Sequence, residues 1–432
     1  MMENDIQNLE PRNLWRHFAK ICSIPRSSLH EAELRNHIQD WANSNGIESL
    51  VDHAGNLILR KPASKGSESM PGVILQGHLD MVCQADSGTH HDFLKDPIRA
   101  TVQDGWVMAT DTTLGADNGI GVALALAVLE EEGLVHPPLE VLLTVNEESG
   151  MDGARGLQPG ILEGRMLINL DTEEWGHFYL GCAGGEDLQI SGNFELEHVP
   201  GNHEIWKLEV SGLRGGHSGI DIHLGRGNAI RLLAEGLDSL SGSDIRVIAI
   251  EGGTARNAIP REAHAIISIR KGAKIDQAVA KKNEEWKRRF ADVDAGVSLK
   301  STPSASTRKL CVSDWKRMTG FLRNVPDGVA AMSGDFPGVV ETSSNLGVAV
   351  MEEDALQVTF KVRSLQDRKK ALLAEKIASF AESAGFSAER SGAYPGWTPN
   401  PSSRLLELLQ TVHIGKFGKP ASLQVIHAGL EC

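Results

Sequence analysis

Three short apolar segments of this sequence each lead directly into acidic or imidazole side chains, and this repeated pattern constrains the fold most. The segments and the groups that follow them are residues 73–75 with His78 and Asp80, residues 139–145 with Glu147 and Glu148, and residues 166–170 with Asp171. Apolar runs of this length are typical of buried β-strands. Because open α/β sheets bind ligands at the carboxyl ends of their strands, the pattern predicts an α/β fold with one shared site.

Two further features of this predicted site have more than one interpretation. His78 and Asp80 are two residues apart in an extended segment, so their side chains point the same way, but a His-x-Asp triplet alone is weak evidence for a site. Asp117 lies in a glycine-flanked turn before the apolar helical run 122–129. Its side chain can cap that helix, which is a common role for aspartate, or it can hold a carboxylate at the top of the sheet.

The adjacent glutamates Glu147 and Glu148 are difficult to explain as a solvated surface, because they follow a core strand. Their repulsion would be relieved by a cation or by protonation of one carboxyl group. One glutamate can then bind metal while the other acts as a general base. Carboxylates together with imidazole suit Zn, Mn or Co. A second possible cluster, at residues 90–92 (His-His-Asp), lies in a polar connection and is not expected to bind metal.

Composition excludes several classes of protein. The chain has 432 residues, which favours two domains, and a net charge of -14, which argues against nucleic-acid binding. It contains no apolar run of 18 residues, and its start lacks the features of a signal peptide, so no membrane partner is expected. The five cysteines are scattered without a Cys-x-x-Cys pair. That distribution suits a reducing cytoplasm.

The middle of the chain has a different pattern from the ends. A glycine-rich, hinge-like run at residues 181–185 is followed by alternating segments at 188–190 and 205–210, which predict half-exposed antiparallel strands. Helices are predicted at 228–237, 275–290 and 371–383, and a further strand at 355–362. This region is therefore predicted to be a separate α+β domain.

The order of the polar groups resembles that of the dinuclear zinc exopeptidases, a family that includes aminoacylases and carboxypeptidase G2, and most closely its aminoacyl-histidine dipeptidase branch. The stretches that carry this resemblance are 24–28 (IPRSS), 76–82 (QGHLDMV), 114–119 (LGADNG), 146–150 (NEESG), 169–174 (NLDTEE), 215–219 (GGHSG) and 427–432 (HAGLEC). The resemblance spans nearly the whole chain. It implies a mixed central sheet flanked by helices, with an inserted α+β lid domain.

The resemblance also implies roles for individual residues. Asp117 would bridge two zinc ions, for which Mn or Co could substitute, with His78 and Asp171 completing one metal site and Glu148 binding the other metal. Glu147 would be the general base for a metal-bridging water. Asp80 would fix the tautomer and the ring orientation of His78 without binding a metal itself.

Substrate contacts and domains are implied in the same way. His217, Asn257 and Arg363 would bind a small dipeptide. The catalytic domain would comprise residues 1–185 and 396–432, and the lid, a possible homodimer interface, residues 186–395. The implied activity is hydrolysis of dipeptides of the Xaa-His type, and the alternative is hydrolysis of N-acyl amino acids.

The end of the sequence departs from the family pattern. The family supplies its last metal ligand, a histidine, beyond the stretch that here ends at Cys432. His427 belongs to an earlier part of the pattern and is not expected to replace that ligand. We therefore expect either a fragment or a form with a weakened second metal site, and the latter leaves a catalytically impaired relative as a further alternative.

Overall fold

The computed structural model describes residues 5–304 and 310–431, which form two compact units. The first unit contains the described residues up to His177 together with Glu431, and the second runs from Phe178 to Leu430. No helix in these described ranges is long and apolar enough to cross a membrane.

The first unit is built on a mixed five-stranded sheet. The strands of the whole unit are β1 (Glu48–Val51), β2 (Leu57–Lys61), β3 (Val73–His78), β4 (Ala100–Gln103), β5 (Trp106–Ala109), β6 (Leu139–Thr144) and β7 (Met166–Asn169). Its helices are α1 (Arg12–Cys22), α2 (Ala32–Ser44), α3 (Ala116–Glu130), α4 (Glu147–Gly150) and α5 (Asp152–Gly156), with a 3-10 turn at Ile6–Asn8. The order across the sheet is β1-β2-β6-β3-β7, while β4 and β5 form a separate hairpin.

The parallel part of this sheet brings the three predicted segments together. β3 pairs in parallel with β6 on one side and with β7 on the other. In this register His78 lies opposite Thr144, and Gln76 lies opposite Asn169. The three strands therefore end at the same edge, and the polar residues that follow them emerge there, as the sequence predicts.

Burial explains why these segments are so apolar. Every residue of β6 is buried, and so are all residues of β3 after Val73, because helices cover a parallel sheet. The core of the first unit contains apolar side chains of α1, α2 and α3 together with those of β2, β3 and β6. The predicted mixed α/β fold is thus confirmed for this unit.

The second unit is dominated by a large antiparallel sheet. The strands of this part of the chain are β8 (His177–Cys182), β9 (Gly184–Asn193), β10 (Leu196–His198), β11 (His203–Ser211), β12 (Gly216–His217), β13 (Ile245–Gly252), β14 (Ala258–Ile259), β15 (Ala263–Arg270), β16 (Ser298–Pro303), β17 (Leu310–Val312), β18 (Gly328–Met332), β19 (Val340–Glu352), β20 (Ala355–Ser364), β21 (Ser387–Tyr394) and β22 (Ser422–Ile426). β12 with β14, and β8 with β22, form separate two-stranded sheets. The helices of the unit are α6 (Ala229–Ser239), α7 (Ile275–Arg289), α8 (Trp315–Asn324), α9 (Asp367–Ser383) and α10 (Arg404–Phe417), with 3-10 turns at Ile222–Leu224 and Ser241–Ser243. The main path across the sheet is β16-β11-β15-β13-β19-β20-β9-β21.

The compact units do not coincide with the predicted domain boundaries. Residues 396–430, predicted to return to the catalytic domain, group with the second unit. Within that unit β22 pairs with β8, and the backbones of Cys182 and Trp397 form a bridge. Compactness alone does not show which residues act in catalysis. The domain boundaries at residues 185 and 396 therefore stay a prediction.

The hinge-like glycine run is not a loop. Gly184 and Gly185 are buried within β9 and pair with Ser364 and Arg363 of β20. A Cβ atom on Gly185 would lie 2.6 Å from the ring of Tyr394. Close packing therefore explains these glycines, and the sequence pattern alone did not distinguish packing from flexibility.

Candidate metal centre

His78 is the centre of the polar cluster at the end of β3. Its side chain is almost fully buried, and its Nε2 lies 2.9 Å from Asp117 Oδ1 and 3.8 Å from Asp171 Oδ2. Its Nδ1 lies 3.3 Å from Asp80 Oδ1, at an angle that does not form a hydrogen bond. The imidazole thus contacts three of the predicted acidic residues.

Asp117 reaches this position because of the turn that precedes α3. Gly115 has φ +70° and Asp117 is itself non-helical, so the chain approaches the sheet before the regular helix begins. Gly115, not Asp117, is the N-cap residue of α3, and the Asp117 side chain is hydrogen-bonded to His78 Nε2. The carboxylate interpretation of this residue therefore fits the structure, and the capping interpretation does not.

Asn118 adds a contact that the sequence analysis missed. Its Nδ2 donates to Leu170 O and to Asp171 Oδ1, both at 2.9 Å. Its Oδ1 lies in the space that a Cβ atom on Gly77 would occupy. Glycine at position 77 is therefore required for close approach, and Asn118 holds the Asp171 carboxylate.

Asp80 supports the two glutamates as well as lying beside His78. It is fully buried, and it accepts hydrogen bonds from the backbone N–H groups of Glu147 (3.0 Å) and Glu148 (3.1 Å) and from Ser28 Oγ (2.7 Å). Burial would raise the pKa of Asp80, but its interactions with His78, Ser28 and these amides outweigh burial and lower that pKa to about 2. Asp80 is thus held as an anion that orients the start of α4.

The turn into α4 depends on Asn146. This residue adopts the left-handed conformation with φ 54°, which asparagine tolerates better than most residues. Its backbone N–H donates to the buried Glu31 Oε1 at 2.9 Å, which fixes the turn. Glu147 and Glu148 therefore leave β6 at a defined angle.

Arg26 connects two of the loops that carry the site. It is 2% exposed, and its Nη1 donates to the carbonyl oxygens of Leu79 (2.9 Å) and Asp80 (2.6 Å). Its Nη2 donates to Gly115 O in the turn before α3. Arg26 lies within one of the family-like stretches of the sequence, but its role is visible only in the structure.

The electrostatics of the cluster favour binding of a cation. Burial would lower the pKa of His78, but its contacts with neighbouring carboxylates, Asp117 foremost, raise that pKa to about 11. Burial raises the pKa of Glu147 to about 8 and that of Asp171 to about 7, and repulsion from nearby carboxylates adds to both. Without a metal ion, protons therefore partly neutralise this concentration of negative charge. A divalent cation would displace them.

The donor atoms fit such an ion. One ligand atom each from His78, Asp117 and Glu148 lie within 4.8 Å of one another. Glu148 Oε1 is buried and has no hydrogen-bond partner among the described residues. Within residues 5–304 and 310–431 this is the one group of three or more such side chains close enough to hold a metal, and residues 90–92 form no second one.

Glu431 is a further acidic residue of the first unit to which the sequence analysis gave no role. Its side chain is 7% exposed, and its Oε2 accepts hydrogen bonds from Gln76 Nε2 (2.8 Å) and Thr144 Oγ1 (2.5 Å). Burial raises the pKa of Glu431. This carboxyl group thus lies beside the ends of β3 and β6.

In the second unit, two of the three predicted substrate-binding side chains lie together. His217 Nε2 is 3.5 Å from Arg363 Nη2, and Arg363 Nη1 donates to the Tyr394 hydroxyl at 3.0 Å. His217 Nδ1 faces the backbone N–H groups of Gly219 and Ile220, and its Nε2 faces the Arg363 guanidinium, so hydrogen-bond donors lie beside both ring nitrogens. Burial and the charge of Arg363 lower the pKa of His217, which favours the neutral form.

Asn257 and His427, in the same unit, do not share the surroundings of His217 and Arg363. The Asn257 side chain is exposed, and its backbone carbonyl accepts from Ser218 N at 2.8 Å. His427 is buried with Nε2 2.8 Å from Ser343 Oγ, and burial lowers its pKa to about 3. Ser343 belongs to the same unit, and among described residues the first-unit metal cluster does not include His427, as the sequence analysis expects.

Comparison with known proteins identifies the family of the chain. A peptidase dimerisation domain matches residues 208–296. The cytosol non-specific dipeptidase of Escherichia coli (strain K12) is 44% identical over 436 residues, covering 99% of this chain and 89% of that protein. The crystal structure of aminoacylhistidine dipeptidase from Vibrio alginolyticus has a TM-score of 0.91 at 40% identity, covering 100% of this chain and 89% of the other.

A more distant structure shares the fold alone. The aminopeptidase PepT from Bacillus cereus has a TM-score of 0.53 at 17% identity, covering 98% of this chain and 86% of that one.

The fold and the acidic cluster together define a metal-dependent peptidase. The chain belongs to the M20 peptidase family, in the branch that contains the cytosol non-specific dipeptidase.

Proposed function

We propose that the chain hydrolyses dipeptides, Xaa-His dipeptides among them, with two zinc ions as cofactors. The observation that carries the proposal is the cluster of His78, Asp117 and Glu148 beside Glu147 at one sheet edge. The names of the two relatives, a non-specific dipeptidase and an aminoacylhistidine dipeptidase, support the substrate class. Mn or Co would satisfy the same ligands, since carboxylate and imidazole bind all three.

The ligands divide between two metal positions. Asp117 would bridge the two ions, His78 and Asp171 would hold one, and Glu148 would bind the other. When bound, the metals lower the pKa of a water molecule and polarise the peptide carbonyl. Asp80 and Asn118 keep their neighbours in place through the hydrogen bonds described above.

Glu147 would be the general base. It takes a proton from water as the water oxygen attacks the carbonyl carbon, and it returns that proton to the leaving nitrogen as the C–N bond breaks. Without metal, burial and neighbouring carboxylates raise the pKa of Glu147 to about 8. Bound cations would lower that pKa and so favour the carboxylate form that accepts the proton.

His217, Asn257 and Arg363 would contact the substrate. Arg363 carries the charge needed to pair with a carboxylate, and His217, whose Nε2 lies 3.5 Å from Arg363 Nη2, would help to stabilise an oxyanion. Asn257 would hold the substrate backbone. The dimerisation-domain match supports a homodimer, and the name of the Escherichia coli relative supports a cytoplasmic location.

Turnover of a series of substrates tests the activity. The purified chain, loaded with Zn²⁺, is assayed by chromatography against Xaa-His dipeptides, other dipeptides and N-acetyl amino acids. We expect dipeptides to be hydrolysed far faster than N-acetyl amino acids. A preference for the N-acetyl compounds would replace the proposal with an N-acyl amino-acid hydrolase.

Metal analysis separates an enzyme from a catalytically impaired relative. Close to two metals per chain in elemental analysis of the loaded protein would fit the enzyme. One metal or none, together with no turnover of any substrate, would favour a relative that binds without catalysis.

A further inference from the structure

We infer that Glu431 is a positioning residue that holds the three strand ends of the metal centre in register. The inference rests on the metal centre proposed above, and it assigns Glu431 no contact with a metal or with substrate. It concerns the hydrogen bonds that join the residues preceding His78, Glu147 and Asp171.

Glu431 connects β3 to β6 directly. Gln76 precedes His78 by two residues in β3, and Thr144 precedes Glu147 by three residues at the end of β6. Both side chains are 1% exposed, and both donate to the same oxygen, Glu431 Oε2. Two longer hydrogen bonds, from Thr144 Oγ1 to Gly77 O (3.3 Å) and from Gln76 Nε2 to Thr144 Oγ1 (3.5 Å), also join these strands. Glu431 Oε2 is the nearer acceptor for both donors, and weakening the pairing of a buried donor is costly.

The connection continues to β7 through Asn169. The Nδ2 group of Asn169 donates to Gln76 Oε1 and, at 3.4 Å, to the backbone oxygen of Glu431. Its Oδ1 accepts from the backbone N–H of Asp171 at 2.9 Å. A continuous chain of hydrogen bonds therefore runs from Glu431 to the backbone of a proposed metal ligand.

Only one of the two side-chain oxygens of Glu431 takes part in this network. Oε1 is buried and has no hydrogen-bond partner among the described residues. A glutamine at this position can place its amide oxygen where Oε2 lies and so keep both hydrogen bonds while losing the charge. The pair E431A and E431Q therefore separates the hydrogen bonds from the charge.

The experiment measures metal affinity by competition with a chromophoric chelator, together with kcat and KM. Partners of this kind typically contribute 10–100-fold to metal affinity or activity, so we expect E431A to bind Zn²⁺ about 10-fold more weakly or worse. We expect kcat to fall with little change in KM, and E431Q to remain within about threefold of the unchanged protein. E132A, at an exposed glutamate after α3, is the matched control.

Two results would overturn the inference. One is a Zn²⁺ affinity of E431A equal to that of E132A, and the other is an equal loss in E431A and E431Q, which would assign the effect to charge. If E431A does not fold, T144V removes one donor and should weaken Zn²⁺ binding in the same direction; unchanged affinity in T144V would then decide against it. Zn²⁺ affinity is read without substrate, so failure of the proposed dipeptidase activity would be seen separately.

Discussion

Replacing Asp80 by asparagine should disrupt the metal centre although the side-chain shape is kept. Asp80 uses both oxygens as acceptors, one for Glu147 N–H and the other for Glu148 N–H and Ser28 Oγ. An asparagine has one acceptor oxygen, and its NH₂ group must face a donor on the other side. Whichever way the amide is oriented, at least one backbone N–H at the start of α4 loses its acceptor.

The expected size of the effect follows from this loss. A hydrogen bond to a charged acceptor contributes about 1.5–3 kcal/mol, and a buried donor left without a partner costs about 1–3 kcal/mol. The combined change is about 3 kcal/mol or more. At about 1.4 kcal/mol for each factor of ten, kcat/KM should fall about 10²-fold or more. Ser28→Ala removes one hydrogen bond to Asp80 but leaves no buried donor unpaired, so it should cost about 1.5 kcal/mol, or roughly tenfold.

The assay compares D80N, S28A and the unchanged protein for Zn²⁺ content, kcat, KM and thermal unfolding. We expect D80N to show the larger loss in both Zn²⁺ binding and kcat, and S28A the smaller. If D80N retained kcat and Zn²⁺ affinity within about threefold, Asp80 would not be what orients Glu147 and Glu148.

Three further predictions concern the same centre. Glu147→Gln should keep its metal content but lower kcat by about 10²–10⁴-fold, which elemental analysis and steady-state kinetics would show; near-normal kcat would refute the general-base assignment. Gly77→Ala places a Cβ atom on Asn118 Oδ1 and should weaken Zn²⁺ binding in a chelator competition, whereas unchanged binding would show that Asn118 can move aside. The pKa values of His78 (about 11) and Asp171 (about 7) are raised without metal, and metal binding must release those protons, so Zn²⁺ affinity should rise with pH between about 6 and 8. Affinity that is flat or falls over this range, measured by the same competition, would contradict the protonated cluster.

The strands that carry the site could be predicted because each is a short apolar run followed directly by its polar residues. Apolar runs ending in His78, Glu147 and Asp171 are visible as strands followed by polar groups, and parallel pairing necessarily brings their ends to one edge. The structure confirms this mixed sheet. The role of each site residue in catalysis stays a prediction until it is measured.

The supporting contacts could not be predicted from the sequence. They join residues that are far apart along the chain, and several use backbone groups that every residue carries. Arg26 donates to backbone carbonyl oxygens, which every residue carries, so nothing in its neighbourhood identifies its partners. Asn118 is read from the sequence only as a neighbour of Asp117, and its contact with Asp171 depends on the turn before α3. Gly184 and Gly185 show the same limit, since a glycine pair occurs in both loops and tightly packed strands.

The hydrogen bond between Gln76 and Glu431 spans 355 residues of the chain. During synthesis the amino-terminal part of a protein emerges and begins to fold first. His78, Asp117, Glu148 and Asp171 would therefore be available to a metal ion before Gln76 and Thr144 have gained the Glu431 carboxylate as their acceptor. The mature centre would then form only after residue 431 has been synthesised, and Zn²⁺ bound to a shorter nascent chain should exchange more readily than Zn²⁺ bound after residue 431 has joined the first unit.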